Sequence, residues 1–495
     1  MKKDIIFSTC ESIGYQPYQS SLREKDGNVY LIAERAFERV LLIFGSLPAL
    51  FSGKNVLSGE QNVYLCELTP HNASAIRFLF PYTAPVTPEG HKITIGLGDR
   101  LGIFTEAHIQ AIKNTGVFPV LAQQSKRELS LTGRSNRSLL DDVTWQVFAA
   151  GYEGGYAADG DHLKTLEEVK DAITDGDTMI TLDCSNYIDN TASSLCYADA
   201  LKKCRELIAP ALLDSWNETY AEKTVAIGDH DEITFSKEEL AAIYLTYHAA
   251  FPFIEKVYQE AIACSKAPVA LEISIDETEI ETTPTAHYFV ATELLKRNIK
   301  FCSMAPRFCG EFQKGIDYIG DISRFRIEFA VHANIAKKLG YRISVHSGSD
   351  KFSVFPYIGA LSDECFHLKT SGTSWVEAVR VIARYNPDLF RRMFAFSCAN
   401  YQAAREYYHV SAEVENIPSI SSIPDEELPH LLDEKNARQV MHITYGFLLQ
   451  AKEHDAFIFR NDIYQTLLTH KIAANNLISE HIKKHLRFLG IAEGP

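Results

Sequence analysis

The chain lacks an apolar run of the length that a membrane-spanning helix needs, and no apolar segment follows its basic start, Met1-Lys-Lys. A spanning helix requires about 20 consecutive apolar residues, and a secretory signal requires an apolar core. Basic residues are also in deficit, with 49 Lys and Arg against 64 Asp and Glu, a formal net charge of −15. Since neither a membrane-spanning run nor a secretory signal is present, we expect a cytoplasmic protein. Because a negative net charge disfavours binding to nucleic acid and to anionic membranes, we expect that it binds neither.

Paired cysteines and a nucleotide-binding glycine motif are missing as well. The 10 cysteines are scattered and none forms a Cys-x-x-Cys pair, which fits reduced thiols in a cytosolic enzyme. The stretch Gly96-Leu-Gly-Asp-Arg-Leu-Gly102 superficially resembles a dinucleotide-binding turn, but its spacing differs from G-x-G-x-x-G. We therefore expect no bound NAD.

Eight short apolar runs, mostly separated by amphipathic helical patterns, are the main positive signal. Runs that are apolar on both faces suit a parallel sheet, and eight strand–helix units are the number in a TIM barrel. The predicted fold is therefore α/β, a TIM-type (β/α)8 barrel. The eight runs span residues 92–99, 118–125, 155–161, 179–185, 269–275, 299–306, 341–347 and 365–371.

Three segments surround or interrupt this barrel. Residues 1–90 mix strand-like pieces with a helical pattern from 34 to 50 and end in several prolines, which predicts an N-terminal α+β extension. The catalytic barrel is expected over 91–386, with a helical insertion at 190–265 after strand four. Residues 387–495 read as a helical C-terminal extension.

Polar side chains follow the predicted strands at their C-terminal ends, where TIM barrels place their chemistry. Strand three ends in Asp159-Gly-Asp-His-Leu-Lys164, which combines carboxylates, an imidazole and an ammonium. Such a cluster suits a divalent cation with an acid or base beside it. The alternative is a turn followed by a helix N-cap, and Asp159 is the residue that this alternative explains most readily.

A metal site is expected from His162, Glu272 and His346, which come from three different strands. Two imidazoles and one carboxylate suit Zn²⁺, Mn²⁺, Fe²⁺ or Ni²⁺. Glu272 lies within an apolar run, where a lone carboxylate is costly unless it is paired or bound to metal. Two alternatives stay open, because His346 could be a satisfied core histidine and Glu272 could pair with Arg307 or Lys369.

Further polar groups lie at other strand ends and on a late helix. Gln124 could bind hydroxyls, and Ser347 begins a stretch able to cradle an anion with backbone N–H groups, although a plain loop would look the same. Arg438, His442 and Tyr445 share one helical face, which is either a cover for the barrel mouth or a buried structural face. Strand six is followed by Arg307, Lys314 and Asp317, and strand eight carries Lys369.

Four stretches resemble the tagaturonate epimerase family, bacterial enzymes of hexuronate breakdown. They are Ala157 to Lys164, Arg307 to Asp321, Ile343 to Ser353 and Arg438 to Gly446, and the resemblance runs from about residue 90 to about 450. It implies interconversion of D-tagaturonate and D-fructuronate, a barrel-type fold and a divalent metal. The small-molecule partner would therefore be a keto-uronate, while the metal's identity and the oligomeric state stay open.

The implied reaction inverts a carbon that is β to the ketone, so its C–H bond is not acidified by the carbonyl. Retro-aldol cleavage followed by re-addition is favoured over transient oxidation by NAD, because no dinucleotide motif is present. On this resemblance the metal ligands are His162, Glu272 and His346, the hydroxyl proton moves through Asp161 or Asp350, and the opposite face is protonated by Lys314, Lys351 or Tyr445. The substrate carboxylate is expected at Arg307, Lys369 or Arg438, with Gln124, Asp317, Ser347 and His442 as further substrate contacts.

Other classes of protein remain in view. The nearest are another metal-dependent barrel isomerase of uronates or ketoses and a class II aldolase. A non-catalytic sugar-acid-binding protein is less consistent with so many Asp, His and Lys residues at strand ends. A further alternative is an NAD-dependent epimerase, which the absorbance of its tightly bound cofactor would reveal.

Overall fold

The N-terminal part of the chain is an antiparallel sheet with two helices. A computed structural model describes residues 3–57, 62–228, 231–370 and 372–492. The sheet order is β1-β3-β4-β6-β5, with β2 on β3. The elements are α1 (Lys3–Ser12), β1 (Gln16–Pro17), β2 (Arg23–Lys25), β3 (Asn28–Arg35), β4 (Glu38–Phe44), β5 (Lys54–Leu57), β6 (Val63–Glu67) and α2 (Pro70–Leu79).

The helix predicted over 34–50 is wrong, because this stretch contains strand β4, the second strand of a β-hairpin. Strands β3 and β4 pair with Leu31 opposite Leu42, and the chain reverses at Ala36, whose φ is 53°. The last five residues of β4 are buried. A continuous apolar run carries no period that separates a buried strand from a buried helix, so the sequence pattern misled here.

The first half of the barrel follows, and its strands match the predicted runs. The elements are β7 (Ile93–Leu97), α3 (Thr105–Ile112), β8 (Phe118–Ser125), α4 (Lys126–Thr132), α5 (Asn136–Ala150), β9 (Ala157–Leu163), α6 (Leu166–Asp175) and β10 (Met179–Asp183). The insertion after β10 is mainly helical, as expected. It comprises α7 (Tyr197–Leu207), α8 (Pro210–Tyr220), the hairpin β11 (Thr224–Ala226) and β12 (Glu232–Thr234), α9 (Lys237–Tyr247) and α10 (Ala250–Val257).

The second half restores the strand–helix alternation and closes the barrel. Its elements are β13 (Ala270–Ile275), α11 (Pro284–Lys296), β14 (Ser303–Pro306), α12 (Ile322–Leu339), β15 (Arg342–Val345), α13 (Phe355–Leu361), β16 (Phe366–Thr370) and α14 (Thr373–Tyr385). The strands neighbour one another in the order β7-β8-β9-β10-β13-β14-β15-β16, and β16 returns to β7. The predicted TIM-type α/β barrel is confirmed.

The remaining described residues form α-helices, short 3-10 helices and one small hairpin, joined by loops. The α-helices and the hairpin strands are α15 (Pro387–Ala404), α16 (Lys435–Ile443), α17 (Tyr445–Gln450), β17 (Lys452–Glu453), β18 (Ala456–Phe457), α18 (Arg460–Thr469) and α19 (Lys471–Phe488). Within the described part of the chain, no helix is both long and apolar enough to cross a membrane.

Contacts between Cα atoms divide the chain into two compact units. Unit 1 comprises Met1–Val86, Leu97–Ala158 and Gly372–Lys484, and unit 2 comprises Thr87–Gly96, Asp159–Ser371 and His485–Pro495. Unit 1 contains an aromatic core in which the rings of Tyr30 and Phe148 each lie 5.3 Å from that of Phe80. The division of the chain at residues 90 and 386 stays a prediction.

Candidate active site

A local irregularity in β9 brings consecutive side chains to the same place. His162 has a left-handed φ of 55°, and the pairing of β9 with β10 shifts register between Ile180 and Leu182. Neighbours in a regular strand face opposite sides, whereas a bulge re-aims them. The Nε2 atom of His162 therefore lies 3.9 Å from Oδ1 of Asp161. The side chains of Asp161 and His162 thus lie together near the end of β9, as the sequence predicts.

Gly160 is required where β9 meets its neighbours. A Cβ atom at this position would lie 2.9 Å from Cδ1 of Ile180 and 2.9 Å from Cδ1 of Leu163. Contacts this short force the surrounding side chains to move. The glycine inside the Asp-Gly-Asp stretch thus allows close packing of the barrel wall, rather than forming the turn that the sequence alternative supposed.

Lys369, at the end of β16, is surrounded by carboxylates. Its Nζ atom lies 2.6 Å from Oδ1 of Asp161, 2.9 Å from Oδ2 of Asp159 and 3.1 Å from Oε1 of Glu272. Burial by itself would lower the pKa of Lys369, but these three carboxylates hold it well above its ordinary value. Lys369 is therefore a buried cation, and its predicted contact with a substrate carboxylate stays a prediction.

The prediction of a turn or helix cap at Asp159 is wrong. This residue lies within β9, is fully buried, and accepts a hydrogen bond from the hydroxyl of Thr181 as well as from Lys369. Burial raises the pKa of its carboxyl to about 6, although the charge of Lys369 opposes this change. A fully buried carboxylate needs such partners, because an unpaired one is expensive.

His346, just after β15, is held between two carboxylates of the β13 region. Its Nε2 atom lies 2.8 Å from Oε1 of Glu272, and its Nδ1 atom lies 3.1 Å from Oδ1 of Asp276. Burial alone would lower the pKa of His346, but Asp276 and Glu272 raise it to about 10. His346 is thus not a core histidine satisfied by neutral groups, because both ring nitrogens contact anions.

One group of side chains has the geometry of a cation site. Ligand atoms of His162, Asp276 and His346 all lie within 4.8 Å of one another. The two imidazole rings stand edge to face with centroids 4.8 Å apart. Two imidazoles and a carboxylate are a donor set that first-row divalent metals favour. The residues present therefore fit a divalent metal.

Asp276 was not selected from the sequence, although it lies at the strand end that the barrel rule singles out. It follows Ile275, the last residue of β13, whereas Glu272 lies four residues earlier, roughly 13 Å along an extended strand. The signal that could have found it is position, since barrel chemistry occurs at carboxyl ends. Glu272 as a metal ligand stays a prediction, and its observed partners are His346, Lys369 and the hydroxyl of Ser303.

The residue at the end of β10 extends this cluster. Oδ2 of Asp183 lies 3.5 Å from Nδ1 of His162 and 3.4 Å from Nζ of Lys164. Burial would raise the pKa of Asp183, but His162 and the N–H and hydroxyl of Ser185 keep it below its ordinary value. Asp183 is therefore an ionised group next to both His162 and Lys164.

The residues predicted after strand six have local partners. The Nη1 atom of Arg307 donates to the carbonyl of Thr278. The exposed carboxylate of Asp317 accepts hydrogen bonds from Ser353, at 3.1 Å from its backbone N–H and 2.9 Å from its hydroxyl. Lys314 is half-buried in the same segment. The substrate and proton-transfer roles of these residues stay predictions.

The stretch after β15 is a tight loop. Ser347 and Asp350 have φ of 49° and 63°. The Lys351 ammonium is fully buried and donates to the carbonyls of Gln313, Ile316 and Ser349 at 2.6–2.9 Å. Those bonds tie Lys351 to the loop backbone. Asp350 lies beside His485, 3.6 Å from its Nε2 atom. An anion cradle at Ser347 and proton transfer by Asp350 or Lys351 stay predictions.

The predicted residues in unit 1 are buried among unit 1 side chains. Gln124 accepts a hydrogen bond from Arg134 at 2.9 Å. Arg438 lies 3.2 Å from Glu377, and the Tyr445 ring lies under the Arg100 guanidinium at 3.7 Å. Arg100 also donates to the backbone carbonyl of His442, and the hydroxyls of Tyr445 and Tyr408 lie 2.8 Å apart. These contacts give the helix face a structural role, and its substrate contacts stay predictions.

A TIM-type barrel with carboxylates, imidazoles and an ammonium near the carboxyl ends of its strands is an arrangement typical of enzymes. Comparison with known proteins identifies the class as a carbohydrate epimerase. Residues 18–489 match the family described as tagaturonate epimerase. The chain is 37% identical over 480 residues to the tagaturonate/fructuronate epimerase of Thermotoga maritima, covering 96% of this chain and 97% of that protein. The chain belongs to the tagaturonate epimerase family.

A solved structure agrees with this assignment. The glycerol-complexed crystal structure of fructuronate-tagaturonate epimerase UxaE from Cohnella laeviribosi is 41% identical and superimposes with a TM-score of 0.94, covering 99% of this chain and 100% of that one. The native crystal structure of the same enzyme gives the same values. The resemblance stated from the sequence is confirmed.

Proposed function

We propose that the chain interconverts D-tagaturonate and D-fructuronate in hexuronate catabolism by metal-assisted retro-aldol cleavage and re-addition. The observation that carries the mechanism is the approach of His162, Asp276 and His346 to within 4.8 Å at the carboxyl ends of the strands. These residues would hold a divalent metal. When bound, the metal would act as a Lewis acid on the ketone oxygen and the neighbouring hydroxyl oxygen of the substrate.

The chemical step needs a base for the hydroxyl on the carbon β to the ketone. Removal of that proton lets the bond between the α and β carbons break, which yields an aldehyde and an enediolate. Rotation of the aldehyde exposes its other face, the same bond forms again, and the proton returns to the new alkoxide. The inverted carbon keeps its own hydrogen throughout, and no oxidant is consumed.

We assign the role of the base to Asp161 because of its position next to His162. Lys369 keeps its pKa below the ordinary value although burial opposes this, so Asp161 is ionised at neutral pH. Its carboxylate lies 3.9 Å from His162, a proposed metal ligand, and would therefore lie near a substrate held by the metal. Glu272 would fix the ring orientation of His346, in the way that carboxylates commonly support metal-binding histidines.

The metal requirement is tested by measuring metal content and by following tagaturonate with NMR before and after chelation. Chelated protein should lose epimerisation and regain it when Mn²⁺, Zn²⁺, Fe²⁺ or Ni²⁺ is restored. His346→Ala should lose both bound metal and epimerisation, whereas His71→Ala, at an exposed position, should keep both. A His346→Ala protein that is free of metal and fully active would disprove the assignment.

The route is tested by running the reaction in D₂O. Retro-aldol inversion leaves hydrogen on the inverted carbon, whereas an isomerase acting by enolisation commonly exchanges it with solvent. An aldolase would release free fragments. Transient oxidation would require a tightly bound nicotinamide, which the absorbance of the purified protein would reveal. Deuterium on the inverted carbon would rule out the proposed route.

A further inference from the structure

A cavity lies at the amino ends of the barrel strands in unit 2. It has a volume of about 630 Å³. Its wall includes Lys92 before β7, Val269 before β13, Cys302 before β14, Arg342 at the start of β15 and Cys365 before β16. The candidate metal-binding residues His162, Asp276 and His346 lie at the opposite, carboxyl ends. A cavity of this size is large enough for a small metabolite.

The charge of the wall is opposite to that of the protein. The whole chain carries 64 acidic and 49 basic residues. Around this cavity the wall instead contains Lys92, Lys266, Lys300 and Arg342, with Glu89 as the single carboxylate among the residues that line it. A local concentration of positive charge attracts anions even when the net charge of the protein repels them.

Arg342 points to a ligand independently of this charge. The residue is 6% exposed, and its Nη1 atom donates to the backbone carbonyls of Pro88 and His91, at 3.1 and 2.8 Å. Its Nε and Nη2 atoms are buried and have no hydrogen-bond partner among the described residues. These two atoms form one edge of the guanidinium, with two parallel donors. Buried donors without acceptors are costly, and an oxyanion matches this edge with two hydrogen bonds.

We propose that this cavity is a binding site for a small metabolite that carries a phosphate group, separate from the catalytic end of the barrel. A phosphate dianion suits the wall better than a carboxylate, because it offers more acceptor oxygens and a second negative charge to the lysines. Arg342 anchors the phosphate through Nε and Nη2, while Lys266 and Lys300, both exposed, supply long-range attraction.

The test is calorimetric titration of the full-length, chelated protein with inorganic phosphate at low salt, because chelation removes phosphate binding to metal. Saturable binding at one site per chain is expected. Lys300→Gln should weaken binding several-fold, and Arg342→Gln should weaken it by at least about tenfold, the loss of one bidentate charged contact. Lys202→Gln removes the same charge from an exposed helix position outside the cavity and should bind like the unmodified protein.

Three outcomes would overturn the proposal. They are the absence of phosphate binding, unchanged affinity in Lys300→Gln and Arg342→Gln, and acetate binding as tight as that of phosphate. Arg342 also supports the chain at Pro88, so the folding of Arg342→Gln is checked by its epimerase activity after metal is restored. Lys300→Gln, at an exposed position, decides the question if Arg342→Gln fails to fold.

Discussion

The Nε2 atom of His346 and the Oε1 atom of Glu272 lie 2.8 Å apart inside the barrel, while Nδ1 of the same ring faces Asp276. A hydrogen bond from Nε2–H to Glu272 fixes the ring of His346. Its Nδ1 atom is then directed at the candidate metal site formed with His162 and Asp276. The raised pKa of His346 means that metal binding must displace a proton, which makes metal affinity depend on pH. Glu272 and Asp276 thus contact different nitrogens of one histidine.

Replacing each of the two carboxylates by its amide distinguishes a metal ligand from a residue that only orients a ligand. Asp276→Asn should lose metal affinity by more than about 100-fold, because a proposed ligand loses its charge, whereas Glu272→Gln should lose about 10–100-fold, as for a residue that only orients a ligand. Metal content after dialysis against graded chelator measures both. Glu277→Gln, an exposed neighbour, is the control. If Glu272→Gln loses metal more readily than Asp276→Asn, the carboxylate ligand is Glu272.

Loss of the buried ammonium should destabilise the barrel. Lys369→Met leaves Asp159, Asp161 and Glu272 without their cation, and breaking a buried ion pair by removal of one partner costs about 3–5 kcal/mol. Urea unfolding of the metal-free protein measures this change. Lys337→Met removes an exposed pairing with Asp363 and should change stability by less than about 1 kcal/mol. Equal effects of both substitutions would contradict the structural role of Lys369.

The close packing around Gly160 is tested by one added methyl group. Gly160→Ala places Cβ 2.9 Å from Ile180 and Leu163, so we expect a loss of about 1–3 kcal/mol from overpacking. The strand that carries Asp161 and His162 should shift as well and reduce epimerisation. Gly228→Ala, whose nearest neighbour would be at 3.5 Å, is the control. Thermal melting that does not distinguish the two variants would refute the packing argument.

Acid should destabilise the protein through its buried neutral histidines. Burial lowers the pKa of His108 from 6.5 to about 4. Below pH 6.5 His108 is protonated in the unfolded chain but stays neutral in the folded protein. Its contribution to the free energy of unfolding is therefore complete above pH 6.5 and is lost as the pH falls towards about 4. Between pH 7 and pH 5 the free energy of unfolding should therefore fall by about 2 kcal/mol less in His108→Gln than in the unmodified protein. Unfolding measured at both values checks it, and an unchanged loss would exclude His108 as a source.

Much of the barrel could be predicted from the sequence, because each strand is a short run buried on both faces and is bounded by polar residues. The run at 179–185 is β10, and the insertion begins after it as expected. The failure at 34–50 has a physical reason. Val40 to Phe44 is apolar throughout, so neither helical nor strand period is visible, and only the pairing with β3 decides the structure.

The residue types of the site could also be predicted, since His162, Glu272 and His346 all lie in the buried cluster. Their contacts could not be predicted. The sequence pattern does not select Asp276 and predicts a turn or cap at Asp159, because it does not reveal how far a side chain lies along the barrel axis. Nor does it reveal that the positive φ of His162 places this side chain beside Asp161. The four matching stretches indicated the family, because long motifs are more specific than single residues.

The sequence by itself therefore determined the alternation of buried strands and amphipathic helices, the family, and the polar residues at the strand ends, because these are properties of local patterns. The tertiary structure alone decided which carboxylate contacts which nitrogen of His346 and why Lys369 is buried. It also decided that two donors of Arg342 have no acceptor within the described part of the chain. Those relations join residues from 70 to more than 200 positions apart. They depend on how strands line up around a closed barrel, which no local pattern specifies.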